Sequence, residues 1–355
     1  LSTVYMCVTF AALINVVDYS EPEISKRAAA VTDKMLSMLA LHTYKTGIVA
    51  PMGRVYRSVL YPFDQGAMAL MNLINPKLPY TFGEGWLGFY ASSHYPIPEG
   101  LVKLMEDDVE TNYTTGNARV YLEKNDDYCL TSVASPREPF TRWENETLKE
   151  DVDITTHNFT KSFNERFHGT TYFRPGTYGY QQHMWYAALD GEASIFVTHP
   201  GSTSEEGDMR PGYWHGNGVM PALKQQHGLL GGIYVIPDEH PIGYTHLYCP
   251  ECRFDEVIHE ENWILLRKET GYLALWCSEK MEAHNGINFN CEQRAYSKNA
   301  AYLCVCGGQK SDASFAAFKK RAKETLPSYD KESKTLTAQN FELSYVACKE
   351  GTQFL

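Results

Sequence analysis

The hydrophobic period of this chain changes once, near Asn117, and that change limits what it can fold into. Before it, apolar residues recur at helical spacing; after it, short β-branched and aromatic runs alternate with turn signals. In the first part, Ile24, Ala28, Val31, Met35, Met38 and Leu39 mark one face of a helix that ends near His42. Ser20 is expected to cap it, with Glu23 three residues on and Pro22 in the first turn. LSTVYMCVTFAALINVV, QGAMALMNLIN and the segment near Glu99 to Glu110 read as further helices, separated by loops rich in glycine and aromatics. In the second part, ARVYLEK and DYCLTSVAS flank Asn125–Asp126 as a hairpin, and WILLRKETGYLALWCS folds back around Glu269 to Gly271. GYTHLYCP, AYLCVCGG and TLTAQNFELSYVAC add strands. One helix, SFAAFKKRAKETL, interrupts them, with Ser311 as its expected cap and Phe315, Phe318, Ala322 and Leu326 on one face.

The expectation is an α+β chain of two domains. Residues 1–116 form the helical one; residues 117–355 form a large antiparallel β-sandwich with a polar, aperiodic excursion at 138–170. The abrupt start at Leu1, inside an apolar helical stretch without a basic leader, suggests that an N-terminal part is missing. The first helices should then form an open arc that leaves apolar surface uncovered.

Composition narrows the partners. The formal net charge is −11 and no basic footprint is visible, which argues against nucleic acid. No run of 18 apolar residues occurs, so no membrane-spanning helix is expected. Aromatics make up 13% of the chain, which favours antiparallel sheet and ring-lined clefts where flat faces can stack on sugars. The nine cysteines are scattered and odd in number, so they do not form a disulfide framework, and unpaired thiols lean towards a cytoplasmic setting. Cys249 and Cys252 form a CxxC and Cys304 and Cys306 a CxC, but the second spacing is wrong for a zinc ribbon. No metal and no other cofactor is expected, although a divalent ion stays open. The sequence has no phosphate-binding glycine loop, no HExxH and no GxSxG.

The stretch from Tyr180 to Gly218 is where chemistry concentrates. Ala193 to Thr198 and Leu229 to Pro237 read as buried strands, and the polar loop between them carries Gly201, Gly207, Gly212, Gly216 and Gly218. His183, Trp185, His199, Arg210, Trp214, His215 and Asn217 all fall here. Imidazoles, an amide and indole faces suit a sugar-handling or proton-abstracting site. If Gln182 to Leu189 and Ala193 to Thr198 pair across a tight Asp190–Gly191 turn, His183 and His199 meet at the open end of one hairpin. Each residue has a plainer alternative. His183 can be a satisfied core histidine, His199 can cap the turn at Pro200, and Asn217 between glycines can serve a positive φ.

GRVYRSVLY (Gly53 to Tyr61), QQHMWYAALDGEASIFVTHPG (Gln181 to Gly201), RPGYWHGNG (Arg210 to Gly218) and FDEVIHEENWILLRKETGYLALW (Phe254 to Trp276) together resemble the heparinase-like polysaccharide lyases and related proteins of (α/α)-toroid plus β-sandwich architecture. The similarity runs over most of residues 30–330, in architecture and local phrases; no diagnostic catalytic signature of a named lyase family is intact. It implies an incomplete toroid over a sandwich, and an acidic polysaccharide or oligosaccharide cut by β-elimination. Such chemistry takes a Tyr or His acid and base, with Asn, Arg or His neutralising the uronic carboxylate. The resemblance thus implies catalytic roles for His183, His199, Tyr56 and His215, and substrate binding by Arg54, Asn217, Trp185, Trp214 and Arg210. Arg54 can equally pair with Asp64, and Tyr56 can simply pack. The alternatives are a uronidase-like glycoside hydrolase, which needs two carboxyl groups among acids such as Asp64, Glu84 and Asp190, and a carbohydrate-binding protein without turnover.

Overall fold

A computed structural model describes residues 1–55, 66–80, 86–115, 118–134, 182–201, 213–214, 218–238, 240–286 and 291–345. Over these residues the chain is mixed α+β, with few helices and large antiparallel sheets. The excursion expected at 138–170 lies outside the described residues, as do Tyr56, Arg210, His215 and Asn217.

Helices α1 (Tyr5–Tyr19), α2 (Pro22–His42), α3 (Gly66–Ile74), α4 (Trp86–Ala91) and α5 (Leu101–Glu106) occupy the first part. Ser20 does not cap α2. It closes α1, its N–H donating to Val16 O, and Pro22 starts α2 directly after Glu21. Ser20 is extended, but it lies one residue too early: Glu21 holds the position before Pro22, and no side chain caps α2. The helix expected near Glu99 to Glu110 is shorter, because strand pairing takes over at Val109, eight residues before Asn117. No helix among the described residues is long and apolar enough to cross a membrane. Tyr5, Val8 and Tyr19 of α1 are exposed.

The strands follow in antiparallel order. A small hairpin, β1 (Thr43–Tyr44) with β2 (Gly47–Ile48), leads out of α2. Next come β3 (Val109–Thr115), β4 (Ala118–Lys124), β5 (Cys129–Ala134), β6 (Trp185–Ala188) and β7 (Ser194–Thr198). The chain continues with β8 (Ala222–Gln226), β9 (Leu229–Val235), β10 (Thr245–Tyr248), β11 (Glu256–Glu260), β12 (Trp263–Lys268) and β13 (Gly271–Cys277). It closes with β14 (Met281–His284), β15 (Glu292–Ala295), β16 (Asn299–Gly308), α6 (Phe315–Glu324), β17 (Ser328–Asp330), β18 (Thr335–Ala338) and β19 (Phe341–Ser344). The large sheet has eight strands in the order β14-β15-β10-β7-β6-β5-β4-β3; the second has six, β11-β12-β13-β16-β9-β8; the last has three, β17-β18-β19.

Both hairpins expected from sequence form. Asn125 Oδ1 accepts from the N–H of Asp127 at 2.8 Å and of Tyr128 at 3.0 Å, an Asx turn that closes β4 on β5. In the β8–β9 hairpin, His227 and Gly228 both have positive φ, the geometry that lets two residues join twisted strands. Ser314, not Ser311, caps α6: its hydroxyl accepts from Ala317 N at 3.2 Å, while Ser311 is held in the preceding turn by Gly308 and Asp312.

Strand alternation builds three apolar layers. On β7, Phe196 faces the helices while Ile195 and Val197 face the six-stranded sheet. On β13, Leu273 and Leu275 face the large sheet, whereas Tyr272, Ala274 and Trp276 face away. The first layer joins Phe10, Ile14, Leu36, Leu39 and Met68 of the helices to the large sheet. The second lies between the two sheets. In the third, α6 and the three-stranded sheet cover the outer face through Phe318, Leu336 and Phe341. The middle strands are therefore buried on both sides and read as unbroken apolar runs, while the two ends of the large sheet do not: β3 (VETNYTT) and β14 (MEAH) are polar and partly exposed.

A lysine ties the helices to the sheet. Lys124, at the end of β4 and buried, donates from Nζ to Leu41 O (2.9 Å), Thr43 O (3.2 Å), Leu104 O (2.8 Å) and Met105 O (3.1 Å). These carbonyls belong to the C-terminal ends of α2 and α5, where the helix dipoles are negative.

Candidate functional site

A cluster of buried polar groups sits on neighbouring strands of the large sheet. β10 and β15 pair so that His246 lies directly opposite Arg294, and Glu292 is two residues before Arg294 on the same face. Leu247 points into the layer between the sheets, so His246 and Tyr248 point towards the helices. Tyr213 and Trp214 cover this face, with Trp214 stacked on the His246 ring at 4.0 Å and 6°.

Glu292 is the hub. Its Oε1 accepts from Arg294 Nε at 2.7 Å and from the Tyr213 hydroxyl, and it lies 3.2 Å from His246 Nδ1. With the Tyr213 proton directed at Glu292, the phenol oxygen is left to accept from Arg294 Nη2 at 2.7 Å and from the Tyr244 hydroxyl at 3.0 Å. The Arg294 guanidinium also lies over the Tyr244 ring at 4.6 Å. Burial opposes ionisation of Glu292, yet hydrogen bonds from His246, Arg294 and Tyr213 outweigh it and hold the carboxyl down at about 2. Burial first, and then the charge of Glu292, push the Tyr213 phenol far above its usual range. The cluster therefore keeps a permanent anion, a permanent cation and a protonated phenol in mutual contact.

Glu292, His246, Tyr213 and Arg294 are all buried, whereas Tyr244 is half-buried and Tyr296 is exposed. Arg294 Nη1 donates to the Tyr296 hydroxyl at 3.4 Å, and the rings of Tyr244 and Tyr296 are 5.5 Å apart. A chain of polar groups thus runs from the surface at Tyr296 to the buried carboxylate.

Of the residues singled out from sequence, the structure brings His183 and Trp214 together. His183 Nε2 is 2.7 Å from Trp214 O, its Nδ1 is 2.5 Å from the Tyr186 hydroxyl, and its ring lies 4.3 Å from that of Phe196. His183 is also joined by paired backbone hydrogen bonds to Met52, two residues before Arg54. Arg54 itself lines a separate, mainly apolar groove of about 630 Å³ between α1, α2 and β4, with Met6, Met35, Met52 and Gln182.

Two expectations need correction. Gln182 to Leu189 and Ala193 to Thr198 do pair across the Asp190 turn, through Ala187 with Ile195 and Ala188 with Ser194. His183 and His199 are nevertheless both fully buried and stand in different surroundings: His199 Nε2 contacts Ile242 O at 3.0 Å and its ring meets His240 edge-on at 4.6 Å. Burial pulls the His199 imidazole down to about 3, so it does not titrate near neutral pH as the hairpin reading supposed. Trp185 is 1% exposed and packs in the layer between the sheets, with no indole face open to a ligand. In both cases strands buried on two faces turned residues placed on a cleft into core.

Sequence reading missed Tyr213, His246, Glu292 and Arg294. The available signal was an acid and an arginine two apart in the short strand CEQRA, opposite a histidine in GYTHLYCP. Comparison of the sequence with protein-family models and with curated proteins gives no match.

Proposed function

We propose that this chain is a carbohydrate-active enzyme that cleaves an acidic, uronic-acid-containing polysaccharide or oligosaccharide by β-elimination, on an incomplete (α/α)-toroid joined to a β-sandwich. The observation that carries the reading is the buried Tyr213–Glu292–Arg294–His246 cluster, which is linked by contacts through Tyr244 to the exposed Tyr296. β-Elimination needs a proton donor for the departing glycosidic oxygen, a base for the proton beside the carboxylate, and a cation to stabilise the charge that develops there. In this reading Tyr213 is the acid. Its phenol is protonated, and Arg294 already donates to the oxygen that would carry charge once the proton leaves. His246, in contact with Glu292, supplies the imidazole base, and the Arg294 guanidinium is the cation that meets the uronic carboxylate.

The hydrolase reading is weaker on these residues. A glycosidase needs a protonated carboxylic acid, and Glu292 stays ionised at neutral pH. Asp190 is occupied by the N–H groups of Glu192 and Ala193 and by Lys268.

A panel of acidic polysaccharides tests the proposal, with two readouts. Ultraviolet absorbance of an unsaturated uronide is the expected product signal. Reducing ends without that absorbance would mean hydrolysis, and neither signal would mean binding alone. Tyr213→Phe should lower turnover by about 10²–10⁴-fold while the circular dichroism spectrum is kept. A variant of wild-type activity removes Tyr213 from the chemistry.

A further inference from the structure

Towards the β3 end of the large sheet, the two sheets leave a polar groove of about 330 Å³. β3 and β4 form one wall, and the β8–β9 hairpin at the edge of the six-stranded sheet forms the other. Three strands lie between β10 and β4, which places the groove about 19 Å along the sheet from the strand of His246. Part of the groove is fixed by its own contacts. Glu123 accepts from the Tyr128 hydroxyl and, at 2.6 Å, from Gly228 N. Gln225 accepts from Ser132 Oγ at 2.6 Å and donates to Leu130 O at 3.0 Å. Glu110 Oε1 lies 3.0 Å from His227 Nδ1, which joins β3 to the hairpin. The remaining polar groups are left open. Asn112 and Tyr121 are cross-strand partners, so their side chains stand together on the face that turns to the groove. Among the described residues, the side chains of Asn112, Tyr121 and Gln226 have no hydrogen-bond partner, and none of their polar atoms is sealed from water. Two carboxamides, a phenol and a half-buried ring are thus held ready in one groove with rigid walls.

We propose that this groove is a second carbohydrate site, which takes a neutral pyranose unit, stacked on Tyr121 and hydrogen-bonded by Asn112 and Gln226. The choice of a sugar rests on the polysaccharide reading above; the place of the site and its preference for a neutral unit come from the groove itself. A sugar hydroxyl both donates and accepts, and a carboxamide offers an N–H and a C=O side by side to match it. The C–H face of a pyranose packs on an electron-rich ring. The preference follows from charge. Glu110 and Glu123 are cross-strand partners and bring two carboxylates to the groove. No lysine or arginine is among the described residues that line it, and the His227 ring already faces Glu110. A hexuronate would meet like charge there, whereas a neutral hexose would not. The groove and the buried cluster would then grip different units of one polymer.

Titration calorimetry with cellotetraose and galactotetraose, and with tetragalacturonate as the acidic counterpart, tests this. Wild type should bind at least one of the neutral tetramers. Tyr121→Ala should weaken that binding by about tenfold or more, and Asn112→Ala by about threefold or more. Tetragalacturonate should bind Tyr121→Ala as well as it binds wild type, because its carboxylates keep it out of the groove. An unchanged circular dichroism spectrum checks the fold of each variant; should Tyr121→Ala fail to fold, Asn112→Ala, at an exposed position, decides alone. No binding of either neutral tetramer by wild type, or equal affinity of wild type and both variants, overturns the site. Tetragalacturonate binding that is lost in Tyr121→Ala overturns it as well. Neutral binding that depends on Tyr121, with no unsaturated product from any acidic polysaccharide, keeps the groove and overturns the lyase reading. An unsaturated product with no neutral tetramer bound does the reverse.

Discussion

Replacing Lys124 by Met should separate the helices from the large sheet. The Lys124 ammonium gathers four carbonyls at the ends of α2 and α5, with donor–acceptor distances from 2.8 to 3.2 Å. Methionine keeps the length and apolar stem of the side chain and removes every donor. A buried acceptor left without its donor costs about 1–3 kcal/mol. At the lower end, four acceptors would cost about 4 kcal/mol. Two effects reduce this. Burial disfavours the ammonium, as the lowering of its pKa records, and methionine recovers that cost. A cleft of about 340 Å³ beside Lys124, lined also by Tyr44 and Met105, can admit water to some of the carbonyls. The expected net loss is about 2–4 kcal/mol. Urea denaturation of wild type and Lys124→Met measures it, and hydrogen exchange should show faster opening of the last turns of α2 and α5 than of β12, β13 and β16. A loss below about 1 kcal/mol, or exchange that rises uniformly, would show that the apolar layer alone holds the helices and that the reasoning is wrong.

Acid should destabilise the fold well above the usual carboxylate range. Burial holds His42 and His199 at about 3, while unfolding returns each to about 6.5, so only the unfolded state takes up protons between these values. Stability is therefore greatest above pH 6.5 and falls by about 1.4 kcal/mol per pH unit for each histidine as pH drops towards 3. Glu292 adds to the loss below about 4.5, because its ionised form is the one the fold prefers. Denaturant titrations at stepped pH should find this slope, and His42→Gln should flatten it by about one proton; a slope unchanged by the substitution excludes His42 as its source. Gly191→Ala should detach the β6–β7 turn from the β1–β2 turn, since an added Cβ would stand 2.6 Å from Gly47 N and 2.7 Å from Thr46 C. The expected cost is about 1–3 kcal/mol, read as a fall in melting temperature, and an unchanged value would mean that the turn moves freely.

The sequence made the elements legible where local patterns decide them. The Asn125 turn and the β12–β13 hairpin were set by a handful of neighbouring residues and form as expected, and α2 ends at His42 as expected, but Ile24 and Val31 of its expected apolar face are exposed while Thr32 and Leu36 are buried. Helix starts were not legible. Ser20 and Ser311 each offered a plausible cap, but α2 starts one residue later, after Glu21, and α6 starts after Ser314. The candidate site was harder still. The glycine-rich loop drew attention to Trp214 and His183, which do meet, but its histidines were judged by their number. Burial of the large sheet on both faces is a property of the assembled layers, and it makes His183 and His199 core residues. Glu292 and Arg294 sit far along the chain from Tyr213 and become its neighbours only through the pairing of β10 with β15.

The character of the large sheet's two ends has a consequence for how copies of this protein behave together. A strand that ends a sheet exposes a row of backbone donors and acceptors, and another chain can add itself there. Here β3 carries Glu110, Asn112 and three threonines and β14 carries Glu282 and His284, while the unbroken apolar sequences are confined to interior strands such as β7 and β13. Growth of the sheet from one molecule into the next would thus have to begin on its least adhesive sequences. Concentrated solutions should stay free of cross-β order until the outer strands themselves come away.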